Sequence, residues 1–185
     1  KYKKIERELK GLKTDFRPTK SIVRESVFNM ISNYEMKGAF TLKGANVLDA
    51  FCGSGAYGIE ALSRGADSAY FVNKYSNELA LARANVESLG DDEVNAHFIC
   101  ADATKLDRIN AVIDLIFIDP PYHKGLWRGC LEAIRDNLAL NEGHLIILEL
   151  AGREDFELVE GFNCLNNKVY GNTKIYVLQK KVEEK

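Results

Sequence analysis

At 185 residues the chain has the length of one domain with room for a real core. Its 46% hydrophobic and 28% charged residues fit a soluble globular protein, and no apolar run approaches the roughly 20 residues that a membrane-spanning helix requires. The net charge of −2 is unevenly spread, because residues 1–24 carry nine Lys and Arg against three acids, a net +6 that leaves −8 on the remainder.

A basic arm on an acidic body is the pattern expected where one edge of a protein faces a polyanion such as a nucleic acid. The basic start, Lys1-Tyr2-Lys3-Lys4, is followed by no apolar stretch of signal-peptide type, so a cytoplasmic location is expected. Cys52, Cys100, Cys130 and Cys164 form no CxxC pair and are expected to be buried free thiols. His97, His123 and His144 show no ligand spacing, so no metal is expected.

In chain order, Val23, Val27, Met30, Ile31 and Tyr34 recur at helical spacing behind Pro18 and Thr19, which predicts an amphipathic helix over 19–34. Asn46 to Phe51 reads as a buried strand, and the glycines after it open a second helix through Leu62. The alternation continues with a strand at 69–72, a helix over 77–89, a strand at 96–100 and a short helix near 104–109. A strand at 114–118, a helix over 126–138 and a strand at 144–150 follow. The pair 166–170 and 173–178 flanks Gly171-Asn172, a two-residue hairpin signal. Strands alternating with helices imply an α/β fold, doubly wound around a mostly parallel seven-stranded sheet, with an antiparallel hairpin at the C-terminal end. The organisation expected is one domain over 1–185, in which 1–37 form a basic arm and helix.

The segment Asp49-Ala50-Phe51-Cys52-Gly53-Ser54-Gly55-Ala56-Tyr57-Gly58 carries GxGxxG between a strand and a helix, a signature of backbone lying close to a ligand. The motif is weak alone. Asp49 at the strand end sharpens it, because a carboxylate suits an amino-bearing or cationic cofactor better than a pyrophosphate. Asp102, at the end of the third strand, has two readings: an acceptor for an adenine amino group, or the N-cap of the next helix.

Asp119-Pro120-Pro121-Tyr122 directly follows the apolar run Leu115-Ile116-Phe117-Ile118. Two prolines cannot continue a central strand, since each lacks a ladder N–H, so the chain turns a stiff corner that presents a carboxylate, a fixed carbonyl and an aromatic ring. Such a corner suits a planar amine. The two N–H groups of an exocyclic base amine can donate to the Asp119 carboxylate and the Pro120 carbonyl, while Tyr122 stacks on a flipped or unpaired base. With an ordinary pKa near 3.9, Asp119 is an orienting acceptor rather than a strong base.

These residues carry a resemblance. Arg17-Pro18-Thr19 with Val23-Arg24-Glu25 and Phe28-Asn29, Leu48 to Gly55, Gly58-Ile59-Glu60-Ala61-Leu62-Ser63-Arg64-Gly65-Ala66 and Asp119 to Tyr122 are similar to the bacterial 16S ribosomal RNA guanine-N2 methyltransferases of the RsmD type, which have a Rossmann-like, class I fold. The resemblance spans nearly the whole chain. It implies S-adenosylmethionine as cofactor and ribosomal RNA or the assembling 30S subunit as partner; a monomer is expected. By resemblance, Asp49, Phe51, Gly53, Ser54 and Gly55 hold the methionine part of the cofactor, Asp102 and Ala103 approach its adenine, and Asp119, Pro120, Pro121 and Tyr122 hold the target guanine. Arg17, Thr19 and Arg24 resemble the elements that face RNA and the site mouth, with helix capping and surface pairing as their structural alternative.

One departure stands out. Where such enzymes place an acid after the second strand for the cofactor ribose, this chain has Asn73, from which weaker cofactor binding is expected. The competing readings are an adenine-N6 DNA or RNA methyltransferase, since the corner grips either amine, and a catalytically weak RNA-binding relative.

Overall fold

The computed structural model describes residues 18–90, 94–121 and 124–181, with residues 18–20 in backbone only. The basic segment before Pro18, including Arg17, lies outside the described residues, as do Tyr122 and His123.

A seven-stranded sheet runs in the order β3-β2-β1-β4-β5-β7-β6. Its strands are β1 (Asn46–Asp49), β2 (Ser68–Asn73), β3 (Asn95–Cys100), β4 (Val112–Ile118), β5 (Ala139–Ala151), β6 (Phe162–Tyr170) and β7 (Thr173–Lys180). The helices are α1 (Pro18–Met36), α2 (Ala56–Ser63), α3 (Ser76–Glu87) and α4 (Leu126–Asn137). Strands β1 to β5 pair in parallel. β7 then pairs antiparallel with both β5 and β6. The two-residue link at Gly171-Asn172, with Gly171 at φ +57°, forms the expected hairpin.

Side chains alternate across the sheet, and the two faces build separate cores. Leu48, Ile116, Ile118, Ile146 and Leu148 point to one face, where α4 covers them with Trp127, Leu131 and Ile134. Val47, Leu115, Phe117, Leu145 and Ile147 point to the other, under Val23, Val27, Phe28 and Ile31 of α1. The helical spacing read in α1 is thus the spacing of its contacts with the sheet. α2 and α3 cover β2 on this same side, through Ile59, Leu79, Ala82 and Val86 against Phe71.

The structure differs from the sequence expectations at three places. The helix expected near 104–109 is a single 3₁₀ turn, Ala103–Lys105, because Leu106 already has extended backbone (φ −64°, ψ 123°). The chain then reaches Ile109 stretched out, and both Leu106 and Ile109 are buried in the α4-side core. β5 begins at Ala139, five residues before the expected start. Its register slips between the pairs Ile113–Leu140 and Leu115–Leu145, so the chain bulges at Asn141 to Gly143. Asp114 holds that bulge by accepting from Asn141 Nδ2 at 2.7 Å, and Gly143 adopts φ +77°. All four cysteines are free, but only Cys52 and Cys130 are buried; Cys100 and Cys164 are exposed because they lie on the two edge strands, β3 and β6.

β1 is the topological switch, since the chain winds from it to β2 and β3 on one side and to β4 and β5 on the other. In open sheets of this type the ligand crevice opens at the carboxyl ends of the strands flanking that switch. Asp49 ends β1, and Asp119 follows the last residue of β4.

Candidate active site

A cleft of about 310 Å³ opens at this point. Asp49, Phe51, Gly53, Ser54, Asn73, Asp119, Pro120 and Pro121 line it, which brings eight of the residues named from sequence to one place. Arg24 of α1 joins them. The volume falls in the range of small-molecule sites, roughly 300–1,000 Å³.

The loop between β1 and α2 is held by more than its glycines. Ala50 N–H donates to Phe117 O at 2.9 Å and Cys52 N–H to Val72 O at 3.0 Å, so the sheet ladder continues past β1 on both sides. Gly55 N–H closes a tight turn onto Cys52 O at 2.6 Å. From α3, Asn85 Nδ2 donates to Ser54 O at 2.8 Å and fixes the loop from behind. The three glycines have different duties. A Cβ on Gly53, which borders the cleft, would meet nothing within 4 Å. Gly55 sits at φ +82° and packs on Phe71, Ala82 and Ile59. A Cβ on Gly58 would run into the Phe71 ring, 2.8 Å from its Cζ. Gly53 is therefore the glycine that leaves the cleft wall open, whereas Gly55 and Gly58 let α2 lie flat on β2.

Three acids stand in a row on the α1-side face. Asp49 pairs in register with Phe117, and Phe117 with Ile147, so Asp49, Asp119 and Glu149 all point to that side at the carboxyl ends of β1, β4 and β5. Asp49 is 2% exposed and accepts Gly58 N–H at 3.1 Å. Burial raises its carboxyl to about 7; the Gly58 N–H opposes that rise and the nearby Asp119 adds to it. A cation entering the cleft would favour the ionised form. Glu149, 4% exposed, accepts the Tyr57 hydroxyl at 2.8 Å. Tyr57 stacks on Phe117 with centroids 4.7 Å apart, and desolvation together with Glu149 holds its phenol protonated.

On the β2 side, Asn73 is 8% exposed. Its Oδ1 accepts Tyr75 N–H at 2.9 Å and its Nδ2 donates to Glu78 Oε2 at 2.9 Å. Glu78, in the first turn of α3, lines the cleft with it. Burial pushes the Cys52 thiol up, and the Asp49 charge adds to that, so the thiol stays protonated.

Asp102 and Ala103 stand apart from this lining. Asp102 accepts Thr104 N–H at 3.0 Å and Thr104 Oγ1 at 2.7 Å, which caps the 3₁₀ turn, and its other oxygen accepts Lys74 Nζ at 2.9 Å. Lys74 and Thr104 hold its carboxyl at about 2. Ala103 is buried in the α4-side core. The backbone of Thr19 lies in the first turn of α1.

Sequence reasoning did not name Cys52, Ala56, Tyr57, Glu78 or Glu149 among the lining residues. Glu149 had a signal, as the one acid inside the apolar run Leu145 to Leu150. Glu78 had only its place in a helix first turn beside Asn73.

A sheet of this order, with a glycine loop after β1 and an Asp-Pro-Pro corner after β4 around one cleft, defines a class I methyltransferase of Rossmann-like fold. A putative methyltransferase, yhhF, from Escherichia coli has this fold with a TM-score of 0.72 and 26% identity, covering 86% of this chain and 85% of that one. The sequence matches the family described as conserved hypothetical protein 95 over residues 3–179 and belongs to it, which makes it an RsmD-type methyltransferase. It is 31% identical over 173 residues to the putative rRNA methyltransferase YlbH of Bacillus subtilis, covering 91% of this chain and 90% of that protein. It is 28% identical over 182 residues to the ribosomal RNA small subunit methyltransferase D of Buchnera aphidicola, covering 94% of this chain and 90% of that protein.

Proposed function

We propose that this protein methylates the exocyclic 2-amino group of a guanine in small-subunit ribosomal RNA, with S-adenosylmethionine as donor. The observation that carries the reading is the single cleft in which the glycine loop and the Asp119-Pro120-Pro121 corner face each other. Relatives named as small-subunit rRNA methyltransferases support the substrate class.

The residues present fit the donor. Asp49 offers a carboxylate poised to ionise beside an amino group, Gly53 leaves its side open, and Asn73 with Glu78 supplies polar groups opposite. In this reading Asp102, fixed by Lys74 and Thr104 at the end of β3, faces the adenine end. When bound, the donor would supply an electrophilic methyl group: the bond from methyl carbon to guanine nitrogen would form as the carbon–sulfur bond breaks to the neutral thioether, and the methylated nitrogen would lose its extra proton to water.

The chain's own part is orientation. An amine conjugated to a purine ring is a poor nucleophile because its lone pair is delocalised. The Asp119 carboxylate and the Pro120 carbonyl accept its two N–H groups and turn the lone pair toward the donor. Prolines 120 and 121 keep that grip stiff, so less ordering is left to do when the base arrives. Fixed acceptors of this kind lower barriers by several kcal/mol, on the order of two to three decades in rate. Arg24 at the rim of the cleft and the basic residues that precede α1 meet the RNA backbone.

The test is transfer of tritiated methyl groups onto small ribosomal subunits from cells that lack the protein. Incorporation is expected with the wild type and is expected to fall by at least about a hundredfold with Asp119→Ala. Incorporation that survives Asp119→Ala would overturn the role given to the corner.

A further inference from the structure

We infer that Glu78, held in place by Asn73, is the acceptor for the ribose hydroxyls of the adenosyl cofactor in this chain. The inference rests on the adenosyl-donor reading above and deepens it. In doubly wound folds the ribose is met by a side chain at the end of the second strand, about 20 residues beyond the glycine loop, and here that place is Asn73. The geometry shows why Asn73 is not the acceptor. Its Oδ1 is turned back onto the Tyr75 N–H, at 2.9 Å, and its amide nitrogen points at Glu78.

Glu78 has what Asn73 lacks. Its Oε2 takes the Asn73 amide at 2.9 Å, and no described residue donates to Oε1. It lines the same cleft as Asp49, Gly53 and Ser54. A carboxylate has acceptor sites for two hydroxyls at once, and a vicinal diol presents two donors. The first turn of α3 also favours a negative side chain there, through the partial positive charge of the helix start. The acid has thus moved from the strand end to the helix five residues on, with Asn73 as the positioning residue that aims it. The weaker cofactor binding expected from Asn73 alone does not follow, because the acceptor is still in the cleft.

The experiment is calorimetric titration with S-adenosylhomocysteine and with its 2′,3′-dideoxy counterpart, using the full chain. The wild type is expected to prefer the ribose form by about 10- to 100-fold, as for charge-assisted hydrogen bonds. Glu78→Ala should bring that preference to within about threefold while binding of the dideoxy ligand is kept. Asn73→Ala should reduce the preference in part. Asn73→Glu should not tighten binding, since it sets two carboxylates side by side, whereas Asn73→Glu combined with Glu78→Ala should restore the preference. An undiminished preference in Glu78→Ala, or tighter binding by Asn73→Glu alone, overturns the assignment. Equal wild-type binding of both ligands overturns it while the adenosyl reading stands. Binding of neither ligand by the wild type overturns both.

Discussion

Tyr57 and Glu149 are 92 residues apart in sequence, yet the Tyr57 hydroxyl donates to Glu149 Oε2 at 2.8 Å and ties the first turn of α2 to the carboxyl end of β5. Both residues line the cleft that the glycine loop and the proline corner share. Tyr57 is further held by its stack on Phe117 of β4. Three elements that carry site residues are therefore locked to one another by a single ring.

Tyr57→Phe keeps the stack and removes one donor from Glu149, which is 4% exposed. The loss expected in urea unfolding is about 1–3 kcal/mol, the range for removing one partner of a buried hydrogen bond. Unchanged stability would show that the bond contributes nothing net.

Gly58→Ala tests the packing of α2 on β2. Alanine is the better helix former, so helix propensity alone favours the change by about 1 kcal/mol. The added methyl meets the Phe71 ring, which is fully buried and stacked on Phe98 with centroids 5.1 Å apart. Overpacking is expected to win, with a net loss of about 1–3 kcal/mol in a denaturant titration. Adding Phe71→Leu should recover part of the loss.

Asp49 links stability to binding. Its folded pKa, about 7, lies above its unfolded value near 3.9, so the stability it contributes is full below the unfolded value and is lost as pH rises through about 7. Asp49→Asn keeps an acceptor for Gly58 N–H and removes the buried charge. It is expected to raise the thermal midpoint near pH 8, where the wild type carries that charge, and to change it less near pH 5. Ligand binding runs the other way, because only the ionised carboxyl pairs with an ammonium group. Affinity for S-adenosylmethionine should rise between about pH 5.5 and about pH 7, by at most tenfold per unit, and Asp49→Asn should flatten that rise.

His144 gives the opposite slope. Its Nε2 accepts Lys180 N–H at 2.9 Å and its Nδ1 lies 2.7 Å from Asn141 O, an arrangement that suits the neutral ring with its proton on Nδ1. Burial, with Lys180 adding, lowers its pKa below the ordinary 6.5. A base with a depressed folded pKa contributes stability above its unfolded pKa and loses it as pH falls below about 6.5. The stability gap between the wild type and His144→Gln should therefore narrow from about pH 7.5 to about pH 5.

Much of the fold was written in local pattern. α1 and α4 bury one face each, β4 is apolar from Leu115 to Ile118 and ends just before Asp119 and the two prolines, and Gly171-Asn172 turns a hairpin. What escaped was set by partners distant in sequence. The bulge in β5 depends on Asp114 reaching Asn141, and the 3₁₀ turn stays short because Leu106 and Ile109 are drawn into the core under α4. The lining of the candidate cleft was legible where single positions are forced, at Asp49, Gly53 and Asp119. Glu78 was not, because only the folded chain shows the Asn73 carbonyl turned onto the Tyr75 N–H. The pairing of Tyr57 with Glu149 likewise needs α2 and β5 in place.

The most direct measurement of the central claim is nucleoside mass spectrometry of small-subunit RNA from cells that lack the protein, after incubation of their subunits with it and S-adenosylmethionine. The result expected is N2-methylguanosine, present with the wild type and missing with Asp119→Ala. N6-methyladenosine in its place, or N2-methylguanosine formed equally by Asp119→Ala, would contradict the account.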